Sequence, residues 1–240
     1  MDQLIARALK DSREEAPLFR ALLAATLYAH VPISDDSKRL RMIQFIHPDT
    51  GQTLLPVFTD EAKARKAAGA SARLIAMPGR DLLRHTRGAT LMLNPNDTNC
   101  ILYPEEVKAL LAGRSLPTFE KYELKDAEQC SVSIPDQVPE GLLRTLKALY
   151  ATFECVGAAY IIEIRKPDPR DLPILLIAVE VEPAETERVI RASIEALGPY
   201  VEGPHAVDLL ALNPADGPNE TFANVEPFYT SIKAAAGFSD

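Results

Sequence analysis

The sequence predicts an α+β protein of two domains. Residues 1–114 read as a mixed sheet with covering helices, and residues 115–240 as a ferredoxin-like βαββαβ sheet. Three observations carry this reading. Short apolar strands alternate with amphipathic helices through the first half, where a hairpin tip separates two of the strands. The segment Gly113-Arg-Ser-Leu-Pro117 then breaks the apolar periodicity with turn-forming residues. Beyond it the order becomes strand, helix, strand, strand, helix, strand, which is the split-βαβ pattern. A length of 240 residues suits two medium domains, each long enough to bury its own core.

In chain order, Leu4, Ile5 and Leu9 open an amphipathic helix, and Pro17 suits the first turn of a second. A strand follows at 26–31, then a polar loop at Asp35, Asp36 and Ser37. Strands at 40–46 and 52–58 flank His47-Pro-Asp-Thr-Gly51, where Pro presets a turn dihedral and Gly accepts positive φ. Thr59 or Asp60 caps a helix over 61–68 that stops at Gly69. Strands at 72–77 and 90–93 enclose a helix from Gly79, and a short strand at 100–103 leads into a helix from Pro104. Glu105 and Glu106 in that helix's first turn suit the positive end of its dipole.

In the second half, strands are expected at 130–134, 157–165, 172–181 and 206–212. Helices are expected from Pro139 and from Pro183, the first with Leu142, Leu146, Tyr150 and Phe153 on one apolar stripe. Residues 119–124 read as a short bridging strand. Phe222, Phe228 and Tyr229 equip the tail to dock on a domain.

Composition narrows the function. No apolar run approaches the roughly 20 residues that span a bilayer, and the acidic N-terminal segment lacks the basic flank of a signal peptide. Cys100, Cys130 and Cys155 are odd in number and far apart, as expected of reduced thiols in a cytoplasmic protein. Residues 1–114 carry a net charge of +3 and residues 115–240 a net of −11. A pI near 5.1 and the lack of Trp argue against nucleic acid.

Each catalytic template fails on residue type or spacing. His30, His47, His85 and His205 are isolated and no Cys pair is close, so no metal site is expected. There is no Gly-x-Ser-x-Gly elbow, and no glycine-rich nucleotide cradle. Glu180 and Glu182 read as charges protecting a strand edge. Asp168 and Asp171 read as turn chemistry. No catalytic residue, cofactor or metal is therefore expected, and no enzyme. The candidate site is a basic row on one helix face, Arg80, Arg84 and Arg87, with His85 adjacent and Lys63, Arg65, Lys66 and Arg73 preceding it. It suits an anion or an acidic protein partner. Exposed edges of the C-terminal sheet suit a homodimer.

The stretches Pro56-Val-Phe-Thr-Asp-Glu61, Leu91-Met-Leu-Asn-Pro95 and Pro104-Glu-Glu-Val-Lys-Ala-Leu-Leu111 resemble the N-terminal domain of SseB proteins. The strands at 160–165 and 175–182 and the acidic C-terminal unit resemble the SseB C-terminal domain. The loop Asn96-Asp-Thr-Asn99 departs from the glycine-containing family pattern. The resemblance implies a bacterial, cytoplasmic, non-enzymatic interaction protein associated with enhanced serine sensitivity. It carries no site residue with it. Two alternatives stand beside that reading: an amino-acid sensor, by analogy with paired ferredoxin-like domains, and an enzyme assembled from scattered polar residues.

Overall fold

A computed structural model describes residues 1–34, 39–48, 51–97, 100–114, 130–168, 170–200 and 206–231. The loop residues Asp35, Asp36 and Ser37, the strand expected at 119–124, His205, and Thr98 and Asn99 lie outside them. The chain divides into two units, Met1–Glu120 and Lys121–Asp240.

The first unit begins with α1 (Asp2–Ala8) and α2 (Glu15–Ala24), joined by a 3-10 turn over Ser12–Glu14. Strand β1 (Thr26–Val31) comes next, then β2 (Phe45–Ile46) and β3 (Thr53–Phe58). Their tip closes where His47 N–H donates to Gln52 O and Gly51, at φ +71, donates to His47 O. Helix α3 (Glu61–Ala68) starts at Asp60, whose carboxylate accepts the N–H groups of Ala62 and Lys63. Strand β4 (Arg73–Pro78), α4 (Gly79–His85), β5 (Thr90–Leu93), β6 (Cys100–Leu102) and α5 (Pro104–Leu111) complete it. Glu106 accepts the Tyr103 N–H at 2.8 Å, so that helix start is capped from within its first turn.

The sheet runs β4-β1-β3-β5-β6, with β2 also on β3. It is mixed as expected: β3 and β5 are parallel, and the remaining pairs are antiparallel. The expected strand over 40–46 shrinks to Phe45–Ile46 because of pairing space. Along one edge of β3, β1 takes Val57 and Phe58 and β2 takes Leu54 and Thr53. Only Leu55 and Pro56 are left between those pairs, too short a stretch for a ladder with residues 40–44, and Ile43 N–H bonds His30 O at 2.9 Å instead. Alternation sends Leu27, Ala29, Leu55, Val57, Leu91 and Leu93 to one face, where the four helices other than α3 bury them. The opposite face carries His30, Leu54 and Phe58, and α3 packs over it.

The second unit holds β7 (Ser131–Ser133), α6 (Leu142–Tyr150), β8 (Val156–Arg165), β9 (Ile174–Val181), α7 (Thr186–Leu197), β10 (Ala206–Leu212) and β11 (Tyr229–Thr230). Helix α6 starts three residues later than its proline suggested, because Gly141 before it sits at φ +83. Pro183 opens a 3-10 turn ahead of α7 instead of α7 itself.

The element order βαββαβ is present and the fold is α+β, but the pairing departs from the ferredoxin-like arrangement. A split βαβ places another strand between the helix-linked pair. Here β7 lies antiparallel beside β8, and β10 lies parallel beside β9 in unbroken register. Strand β11 occupies Ala158 and Ala159 of β8, next to β7 along the same edge, giving the order β10-β9-β8-β11. The physical reason is the size of β7, whose three residues cover only Glu163 to Arg165. That is too little for a central position in the sheet. The analogy with paired ferredoxin-like amino-acid binders loses its structural footing with it.

One face of this sheet is closed by α6 and α7 over Val156, Ile161, Ile177 and Val179. The tail covers part of the other, where Phe222 packs on Tyr160 with ring centroids 5.4 Å apart. Docking of the tail thus follows from its aromatic residues.

Candidate binding surfaces

The basic row divides at the end of α4. Arg80 and Arg84 lie four apart on the helix and are exposed, and Arg84 bonds Asp81 at 3.1 Å. The helix stops at His85, so Arg87 sits beyond it, ahead of Gly88 at φ +85. There Arg87 and His85 edge an open groove of about 260 Å³ whose walls include Met42, Gln44, Leu55 and Thr86. Arg80 and Arg84 do not line that groove. The row is therefore two adjacent features, a helix face and a groove rim.

The other basic residues serve local structure. Arg65 pairs with Glu61 one helical turn away, and Arg73 reaches the Pro32 carbonyl at 3.3 Å. Lys63 bonds Asp2 at 2.8 Å and Asp97 at 3.0 Å, tying α1 and the loop after β5 to α3. The hydrogen bond to Asp2 is the main reason its ammonium titrates above the usual lysine range.

That clamp stands at the carboxyl ends of the parallel strands β3 and β5, a position where α/β sheets often hold ligands. The centre of this junction is Asn94, which is buried at 1% exposure and has φ +46. Its Oδ1 accepts the Thr59 N–H at 3.0 Å, its Nδ2 donates to Thr59 Oγ1 at 3.0 Å, and its own N–H donates to Val57 O. These bonds tie Asn94 to β3 and to Thr59, which is a structural role. Sequence reasoning saw only a turn in Asn-Pro; the preceding apolar strand was the available sign that this turn is buried.

The remaining candidates resolve as structure. His30 is buried, with Nε2 at 2.9 Å from Ala64 O and its ring against Phe58. Cys100 is buried, Cys130 and Cys155 are half-buried, and all three are free thiols. Burial, with Glu185 next in effect, pushes the Cys155 thiol up and so disfavours the thiolate a nucleophile needs. Glu180 protects no edge, because β10 flanks β9. Its carboxylate instead accepts the Tyr160 hydroxyl at 3.0 Å, and burial together with that contact pushes Tyr160 up to about 12. Asp168 is held below the usual carboxylate range by Arg170 in the turn after β8.

Among the described residues no three His, Cys, Asp or Glu side chains converge as metal ligands. No described helix is long and apolar enough to cross a membrane.

Residues 1–109 match the family model of the SseB protein N-terminal domain, and residues 125–231 match that of the SseB protein C-terminal domain. No curated protein and no solved structure matches the chain. Two models in their natural order over most of the sequence place the chain in the SseB family.

Proposed function

We propose that this SseB-family chain is a non-enzymatic interaction module that binds another protein in the bacterial cytoplasm. The observation that carries the reading is the exposed basic face of α4 continued by the groove rim at His85 and Arg87. Guanidinium groups on a surface suit carboxylates of a partner, because each offers a planar fork of donors. The pair between Arg84 and Asp81 is exposed on both sides and contributes only about 0–1 kcal/mol. A partner carboxylate displaces Asp81 at little cost. The adjoining groove is open and adds apolar contact from Leu55 and Met42. Three free thiols fit a reducing compartment.

The test uses the full chain as bait in native bacterial lysate, beside the charge reversal Arg80→Glu, Arg84→Glu and Arg87→Glu. All three positions are exposed, so both proteins should show the same circular dichroism and melting behaviour. The expected result is a partner with an acidic surface that the wild type retains and the variant loses. Equal retention by both refutes the basic face as the site. Specific retention by neither refutes the interaction reading itself.

A further inference from the structure

We infer that the outer edge of β10 accepts an extended, basic segment of a partner protein as an added strand. The inference rests on the reading of the chain as an interaction module and assigns it a second surface. Strand β10 ends the sheet and pairs only with β9 among the described residues. Ala206 N–H bonds Pro173 O at 3.0 Å. In a parallel ladder alternate residues turn both backbone groups to the same neighbour. Residues 206, 208, 210 and 212 thus face β9, and the N–H and C=O groups of Val207, Leu209 and Ala211 face outward.

Apart from the single charge of Asp208, this edge lacks the devices that usually blunt one. It runs seven residues, Ala-Val-Asp-Leu-Leu-Ala-Leu, with no proline, no lysine and no break in register. The other sheet ends are protected. Strand β4 begins with Arg73 and ends with Pro78, β6 and β7 have three residues each, and β11 has two. An open edge of this kind binds extended chains through main-chain hydrogen bonds, and flanking side chains choose the partner.

Charge supplies that choice. The half of the chain that holds this edge carries a net charge of −11 over residues 115–240, and from Ala206 to Ser231 it has four acidic residues and no Lys or Arg. Asp208 lies within β10, and Asp216, Glu220 and Glu226 are exposed on the tail that leaves it. A segment alternating Lys or Arg with apolar residues complements it. A second copy of β10 would instead set two such acidic stretches side by side, and like charges across a strand pair are destabilising.

The probe is an acetylated and amidated octapeptide of alternating lysine and valine, titrated to millimolar concentration into the ¹⁵N-labelled full chain at low and high salt. Val207, Leu209 and Ala211 amides should shift and gain about tenfold or more in protection from exchange. Binding should weaken with salt. The same peptide N-methylated at every backbone amide, and a glutamate–valine peptide, should both fail. Ala211→Pro removes an outward N–H without losing a bond to β9, so the variant should fold and lose the peptide. Should Ala211→Pro unfold, the N-methylated peptide decides alone.

Equal binding of the N-methylated peptide, shifts confined to other residues, or no binding at all overturns the inference. So does protection of these amides without peptide in a concentration-dependent dimer. In each of these cases lysate capture lost on reversing the α4 arginines leaves the interaction reading standing, whereas no specific capture there ends that reading too.

Discussion

Replacing Asn94 separates two physical contributions at the junction of β3 and β5. The residue holds φ +46, a left-handed conformation that Asn tolerates, that Gly adopts freely and that Ala resists by about 1–2 kcal/mol. Its side chain also satisfies the Thr59 N–H and hydroxyl, and an unmet partly buried donor costs about 1–3 kcal/mol. Asn94→Ala loses both and should destabilise the N-terminal unit by about 2–4 kcal/mol. Asn94→Gly keeps the backbone comfortable and loses only the bonds, so it should fall about 1 kcal/mol short of the alanine variant. The assay is urea unfolding followed by exchange protection of β3 and β5 amides, which reports this unit alone. Losses under 1 kcal/mol for Asn94→Ala would show that water replaces the amide. A glycine variant as damaged as the alanine one would show that backbone strain has no part in it.

Two further perturbations test the packing of each unit. Gly79→Ala puts a Cβ onto the Leu22 carbonyl, where α4 starts beside the end of α2, so one of the two backbones must shift. The expected loss is about 3 kcal/mol or more, read as a lower melting temperature of the N-terminal unit; an unchanged value refutes the interlock. In the C-terminal unit, burial pushes the Tyr150 hydroxyl up to about 12. The folded state thus favours the protonated form. That contribution is whole below the unfolded value near 10 and is lost as pH climbs toward 12. Wild type should lose about 1–2 kcal/mol more than Tyr150→Phe between pH 9.5 and 11. Parallel pH profiles would place the ionisation of Tyr150 elsewhere.

The parts of the fold legible in the letters are those set by local chemistry. Asp60 before an apolar-periodic run, Gly69 after it, and Pro104 at a helix start mark their boundaries to within a residue, because capping and φ preference act on near neighbours. The α6 stripe of Leu142, Leu146 and Tyr150 was legible for the same reason, as helical spacing alone puts them on one face. Its start was not, since Gly141 takes a left-handed φ of +83 that glycine permits but does not require, and the helix begins only after it. The arginines at 80, 84 and 87 share helical spacing, but the spacing is silent on where the helix stops. It stops at His85, which leaves Arg87 on the groove rim.

Strand pairing lies further from the letters, because partner choice is decided by the edges left open once other strands have paired. The residues before Phe45 are apolar enough for a strand, yet β1 already occupies the neighbouring part of β3. Likewise nothing in Ser131-Val-Ser133 excludes a central position. What excludes it is that β8 is ten residues long, β9 already takes one whole side of it, and a three-residue strand fits only the far end of the other. The same rule leaves β10 outermost. Its parallel link to β9 runs through α7, and here the crossover returns the chain directly beside β9, with nothing described beyond. Whether that edge binds a strand then depends on backbone, which Ala211→Pro and the N-methylated peptide address, and on charge, which salt and the glutamate–valine peptide address.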